Sequence, residues 1–427
     1  MKKVLLSFLT FFLLLNFLCA QDWISIIGKT PYPQGTKVYF TGYEGFNKLD
    51  LGSIRTSANG EIDFFTDYHG FCTMSAEGMK SYSLILEHDT VCIDWGNEQK
   101  FSCDPENVYF YRKMPEMLRL DSMYDAYLTE NDSLQKVHLF TKMKETFGNS
   151  ETMLSRESSV HANVFLQAEL SIRRIRIVED GEQMASSKDD MLNFISDNYG
   201  ILNHSNYLTK LAAAYLDMNK FVLKSETSLR QAIEYDVDVW VTRLGTEMTE
   251  KEIVNFFLIH FVKNDESEAA SDVVVKYGEF VKCEQWVGAT LRPTTMPFTF
   301  SVFGGPDFSK VYNLDQFFGI SKILAMYSTE CPASVAAVAG LYAYMSEKQI
   351  RMPVILVPDA EPEGELAELI VEKAPFGLQT GVKTGGSLML GAGIKQLPAF
   401  MILDRNNMQE EIIYNLDDLK RRIGGEE

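Results

Sequence analysis

Hydrophobic and polar positions follow three different rhythms along the chain, and the changes of rhythm divide it. From residue 21 to about 105, short period-two segments recur: Trp23 to Ile27, Lys37 to Phe40, Ile62 to Phe65, Tyr82 to Leu86 and Val91 to Trp95. Residues two apart share one face of a strand, so each segment predicts a strand with one buried face. Asn59-Gly60, between two of them, predicts a two-residue hairpin turn, because such a turn needs positive φ at its centre. With Gly45, Gly52 and Gly70 punctuating the rest, an antiparallel β-sandwich fits best.

From about 106 to 285 the spacing becomes helical. Apolar residues recur through Met114 to Leu128, Leu134 to Phe147, Val164 to Val178 and Met191 to Ile195. Thr249-Glu250-Lys251-Glu252 has the form of a capping box opening a helix through Val262, and Ser267 to Val281 continues the pattern. A helical bundle or layer is expected, with Phe256, Phe257 and Phe261 in its core. The pattern ends near Leu291 to Pro297, and from about 296 to 424 strands and helices alternate. Phe298 to Phe303, a turn at Gly304 to Phe308, and Val311 to Phe318 come first. Then follow strand Ile323 to Tyr327, helix Ala333 to Lys348, strand Val354 to Val357 and helix Glu363 to Lys373. Strand Phe400 to Leu403, a turn at Arg405-Asn406-Asn407, strand Glu411 to Tyr414 and helix Leu416 to Arg422 complete an α/β layer. The glycine-rich stretch Gly385-Gly386 to Gly391-Ala392-Gly393 lacks a phosphate-loop lysine and reads as loop. Low-complexity tracts and fixed-period repeats are absent.

A chain of 427 residues needs more than one core. The fold class is therefore multi-domain α+β: residues 1–20 a signal peptide, 21–105 a β-sandwich, 106–285 helical, and 296–424 an α/β domain. The signal reading rests on Lys2 and Lys3, the apolar run Val4 to Leu18, and a small residue at Ala20 before the cut. A membrane anchor is the alternative, but the run is short for a bilayer span. Lipid attachment at Cys19 is disfavoured by the bulky Phe17 and Leu18 before it. Cleavage takes two lysines from a formal charge of −19, leaving −21, a surface that repels nucleic acid and anionic lipid.

Cleavage leaves five cysteines: Cys72, Cys92, Cys103, Cys283 and Cys331. An exported chain meets an oxidising compartment, and an odd number leaves one thiol without an intramolecular partner. Cys331 is expected to be that thiol. A two-residue turn at Asn97-Glu98 would oppose Ile93 with Ser102 and Cys92 with Cys103, close enough for a cross-strand disulfide; two buried thiols are the alternative. The six histidines show no ligand spacing, so neither a metal nor a cofactor is expected.

Cys331 carries the chemistry. It stands between an apolar strand and a helix-forming run, with Pro332 at the first helical position. A sulfur at the positive end of a helix dipole is favoured as thiolate, the attacking species. Cys331-Pro332-Ala333-Ser334, followed by Leu397-Pro398 and Phe400 to Asn406, and preceded by Pro306-Asp307-Phe308, resembles the exported thioredoxin-like family of TlpA/ResA type. The resemblance covers about 296 to 424. It implies a thioredoxin-like domain, Cys331 as nucleophile and Pro398 as a cis-proline that positions an extended substrate; Ser334, a departure from the motif, is expected as a hydroxyl partner to the sulfur. The N-terminal parts look like the accessory region that often precedes such domains in envelope proteins.

Ser334 stands where a dithiol site has its second cysteine, and Glu330 where tryptophan is customary; a carboxylate there opposes thiolate formation. The expectation is monothiol disulfide exchange or isomerisation with protein thiols or disulfides of the periplasm or outer envelope; Cys283 is one candidate for a resolving sulfur from outside the motif, and the sequence does not place it near Cys331. A thioredoxin-fold interaction protein without turnover is the main alternative. A peroxiredoxin-like (AhpC/TSA-like) peroxidase is suggested by Ser328 three residues before Cys331, but Leu324 stands where that site has proline.

Overall fold

The structure is a computed structural model of the whole chain. It describes residues 23–95, 101, 104–156, 160–222, 226–245, 247–264, 266–277, 298, 300–304, 310–360, 364–373, 378–392 and 394–425. The expected signal peptide, Cys103, Cys283 and Pro306 to Phe308 lie outside these residues. The chain forms two compact units, Met1–Ser225 and Glu226–Glu427. The boundary falls inside the stretch whose spacing reads as one helical region. Among the described residues, no helix is long and apolar enough to cross a membrane.

The first unit begins with seven strands: β1 Ile24–Lys29, β2 Lys37–Glu44, β3 Asn47–Arg55, β4 Glu61–Thr66, β5 Gly70–Ser75, β6 Tyr82–Leu86 and β7 Thr90–Asp94. They form two sheets, ordered β4-β1-β7 and β3-β2-β5-β6. Ile24, Ile26, Ile62 and Val91 of one sheet join Val38, Phe40, Met74 and Leu84 of the other in a single core, which is the sandwich the alternation predicts. Two details differ from expectation. β1 and β7 run parallel, so the sandwich is not wholly antiparallel. The turn at Asn59-Gly60 does not close a hairpin, because β3 and β4 belong to different sheets. Gly60 still supplies the expected positive φ, +77°, and there the chain crosses between the sheets.

Helices α1 Pro105–Thr129, α2 Ser133–Leu154, α3 His161–Arg173, α4 Gly181–Asp197, α5 Tyr199–Leu202 and α6 Tyr207–Val222 complete the unit. Asp104 caps α1 by accepting from the backbone N–H groups of Glu106 and Asn107. On the buried face of α1, the Asn107 amide pairs with both backbone groups of Ile85, at 2.9 and 2.7 Å. The Tyr111 hydroxyl does the same for Ser83. Those groups belong to β6, which ends its sheet. Phe71, on β5, packs edge-on against Phe110, Phe165 and Tyr207 of the helices. Glu87, just after β6, lies 3.5 Å from the His161 ring at the head of α3. Burial, with Glu106 and Asp104 nearby, pushes the Glu87 carboxyl up to about 7.

The second unit opens with α7 Glu226–Leu244, α8 Glu250–Lys263 and α9 Ser267–Lys276. The capping box of α8 is complete: the Thr249 hydroxyl accepts from the Glu252 N–H, and the Glu252 carboxylate accepts from the Thr249 N–H. Seven strands follow: β8 Ser301–Gly304, β9 Lys310–Asn313, β10 Lys322–Tyr327, β11 Val354–Pro358, β12 Leu378–Gln379, β13 Ala399–Leu403 and β14 Gln409–Ile413. Helices α10 Pro332–Glu347, α11 Gly364–Lys373, α12 Val382–Ala392 and α13 Leu416–Gly424 alternate with them. The sheet order is β14-β13-β10-β11-β12-β8-β9. β10 and β11 are parallel, whereas β13 returns antiparallel against β10.

β10 is buried at every position, as a strand covered on both faces must be. Even Lys322 is enclosed, its ammonium bonded to the Asn407 amide oxygen. Helices α8 and α9 pack against α10 within this unit. The glycine-rich stretch read as loop is helix α12. Gly385 is needed there because a Cβ would stand 2.6 Å from the carbonyl oxygen of Pro358 on β11. Gly385 thus marks a close helix–sheet contact rather than a break in structure.

Candidate active site

Strand β10 delivers the chain to the site. After Tyr327 the segment Ser328-Thr329-Glu330 turns, and Cys331 becomes the N-cap of α10 with extended backbone, φ −110° and ψ 111°. Pro332 takes the first helical position, where the donor it lacks is not needed. The Cys331 carbonyl accepts the first helical bond, from Val335 at 3.2 Å, and its N–H donates to the Ser328 carbonyl at 3.4 Å. The strand-to-turn-to-helix placement is thus the one that the sequence predicts.

The state of the sulfur is not. Cys331 is disulfide-bonded, so it is not the thiol left without an intramolecular partner. Among the described residues the free cysteine is Cys72, on β5 in the sandwich core. A reactive setting says how a thiol behaves; which sulfurs pair depends on which of them the fold brings together. Cys331 is only 6% exposed. Glu330 beside it points to solvent.

Pro398 follows a cis peptide bond from Leu397 and immediately precedes β13. Ala399 pairs with Met326 of β10, so Pro398 is held at the end of β10 nearest the cysteine turn. Pro398 and Ala333 line one cavity of about 160 Å³ with Ala336, Ala337, Val274 and Leu416. The cavity wall opposite the head of α10 comes from α9, a helix outside the α/β sheet. Ser334 is fully buried in the first turn of α10. The structure therefore gathers Cys331, Ser334 and Pro398 at one end of the sheet.

Cys92, on β7, is also disulfide-bonded. Its expected partner Cys103 lies outside the described residues. The bridge beside it differs by one residue from the expected register, since Ile93 faces Phe101 and not Ser102; the expected turn at Asn97-Glu98 lies outside the described residues.

Asp359 was missed by sequence reasoning. It follows β11 directly, and its N–H donates to the Tyr327 carbonyl at 3.1 Å. Its carboxylate accepts from the Thr329 N–H at 3.0 Å, with the Thr329 hydroxyl 3.5 Å away. The missed signal was a polar residue closing the apolar run Val354 to Pro358, at the carboxyl end of a parallel strand, where α/β sheets place their sites.

The C-terminal unit thus holds a thioredoxin-like sheet: a central parallel pair, an antiparallel return strand entered through a cis-proline, and a cysteine at the head of the helix between the parallel strands. Part of the chain is similar to several solved structures. One is the thioredoxin domain of a thiol-disulfide oxidoreductase from Bacteroides vulgatus, 13% identical, matching 32% of this chain and 98% of that one with a TM-score of 0.28. A SCO1/SenC family lipoprotein from Bacillus anthracis is 15% identical over 32% of this chain and 98% of its own, TM-score 0.26. A thiol peroxidase from Chromobacterium violaceum is 14% identical over 33% and 89%, TM-score 0.26. No family model matches the chain, and no curated protein does.

Proposed function

We propose that this protein exchanges disulfides with protein clients of the cell envelope through Cys331. The observation that carries the reading is that Cys331, at the head of α10 and beside Pro398, is a disulfide sulfur. A disulfide of a helix-terminal cysteine is readily reduced, because the Cys331 thiolate released in the second step of exchange is stabilised by the helix dipole. A client thiolate attacks the Cys331 Sγ. The bond to the second sulfur breaks, and that sulfur leaves as a thiolate and takes up a proton. A second client thiolate then attacks the client sulfur of the mixed disulfide and releases Cys331. The client dithiol loses two electrons and two protons to become a disulfide; the site gains both. The reverse sequence reduces a client, and exchange without net transfer isomerises one.

Two sulfurs change the expectation of a monothiol site. The motif offers Ser334 in place of a second cysteine, so the second sulfur comes from elsewhere in the chain. Cys283, one of the cysteines the sequence offers, is our candidate for it. Ser334 serves as a hydroxyl neighbour of the reacting sulfur. The low exposure of Cys331 favours one competing reading, a binding domain whose disulfide is structural.

The test incubates the full-length oxidised protein with a reduced dithiol peptide and maps its disulfides by mass spectrometry without reduction. Stoichiometric peptide oxidation, with loss of the Cys331 disulfide, is expected. A Cys331 disulfide that survives while the peptide stays reduced sinks the exchange reading. Client binding that persists in Cys331→Ala would then establish the binding reading.

A further inference from the structure

The turn that presents Cys331 is held by a residue from another strand. Asp359 grips it at two points. Its own N–H takes the Tyr327 carbonyl, the last acceptor of β10, and its carboxylate takes the Thr329 N–H two residues on. Between these bonds the chain leaves the sheet. After them, Ser328 and Cys331 close the turn through the 3.4 Å backbone bond. Thr329 is buried, so its N–H has no ready replacement acceptor in water, and an unmet buried donor is costly. Tyr327 is buried as well, and its phenol is pushed well above its ordinary range by burial, with the nearby Asp359 carboxylate adding to the effect. The carboxylate therefore anchors this turn by geometry, and its charge is felt at the phenol of the residue where the turn begins.

We propose that Asp359 is a positioning residue for Cys331: through Thr329 it holds the sulfur at the N-cap of α10, and its negative charge restrains thiolate formation there. The proposal rests on the exchange reading for its biological meaning, but its test needs no client. The two contributions have opposite signs, and two substitutions separate them. Asp359→Ala removes the acceptor and the charge; the turn relaxes, and the sulfur loses the helix-terminal donors that favour its thiolate. Asp359→Asn keeps an oxygen acceptor for Thr329 and removes only the charge.

The experiment reduces the full-length protein mildly and follows alkylation across pH on the Cys331 peptide by mass spectrometry. Asp359→Ala is expected to move the alkylation midpoint to higher pH and to slow alkylation at pH 7 by about tenfold. Asp359→Asn is expected to move the midpoint below that of the parent protein. Midpoints unchanged in both variants, even with a lowered Tm, would show a purely structural role and overturn the proposal. Equal shifts in both variants would overturn it too, since retention of the acceptor would then not matter. If Asp359→Ala fails to fold, the downward shift in Asp359→Asn decides alone. Failure of peptide oxidation with these shifts intact would count against the exchange reading and not against the role of Asp359.

Discussion

Cys72 and Cys331 both lie almost wholly out of water, and burial has opposite chemical consequences for them. Cys72 sits on β5 between two sheets, where the surroundings are hydrocarbon. Desolvation there pushes its thiol up to about 12, so it stays protonated and inert. Cys331 sits where a strand becomes a helix, at the N-cap of α10, where the helix dipole favours a thiolate. It is this sulfur that is oxidised. Burial alone therefore does not fix the state of a cysteine: Cys92, on a strand, is oxidised as well, and what decides is which sulfur the fold brings within bonding reach.

The widest test of that contrast is chemical. Thiol labelling of the folded, reduced protein at pH 7 should differ between the two cysteines by roughly a thousandfold or more, with Cys72 labelled only on unfolding. Comparable rates for the two peptides would break the comparison. The next largest effect is on stability. Phe71→Ala, beside Cys72, should cost about 3–5 kcal/mol in chemical denaturation of the first unit, since it leaves a cavity among three aromatic rings. Because Phe71 and Cys72 point to opposite faces of β5, it should speed Cys72 labelling only through unfolding and leave Cys331 labelling unchanged.

A smaller effect concerns pH. The Glu87 carboxyl is held at about 7 in the folded state against an ordinary 4.5, so the folded state binds that proton more tightly. Its contribution to stability is complete below the lower value and is lost as pH rises through the higher one. Glu87→Gln should therefore flatten the fall in Tm between pH 5 and 7.5 and stabilise the protein by about 1 kcal/mol at the upper end. An unchanged slope would place the titration elsewhere. The smallest effect lies in a helix of the second unit. Thr249→Ala removes the capping box of α8, a helix packed on α10, and should cost about 1 kcal/mol in denaturation without altering peptide oxidation.

The sequence announced the site region well because its signals are local. An all-apolar strand, a cysteine and a proline define the head of α10 within a dozen residues, and that helix was expected at 333–348 against an observed Pro332–Glu347. The misses involve contacts between distant parts of the chain. β3 and β5 lacked clean alternation and were overlooked, although each is fixed by its pairing partners. The glycines of α12 looked like loop because the reason for Gly385 is the carbonyl of Pro358 on another strand. Asp359 escaped for the same reason: its partner is the Thr329 N–H, thirty residues earlier. The oxidation state of Cys331 was misjudged because counting cysteines shows that one is left over, not which one.

The pairing of Asn107 and Tyr111 with β6 has a consequence for the life of the chain before it is fully folded. A terminal strand offers a row of free donors and acceptors to any other extended chain, the route to aggregation and strand exchange. Here two side chains of the next helix occupy that row at Ser83 and Ile85, from only 28 and 22 residues away. Contacts that short in sequence can form early, before distant segments have found one another. The helix thus acts as an internal chaperone for the strand, blocking the edge while the rest of the molecule assembles.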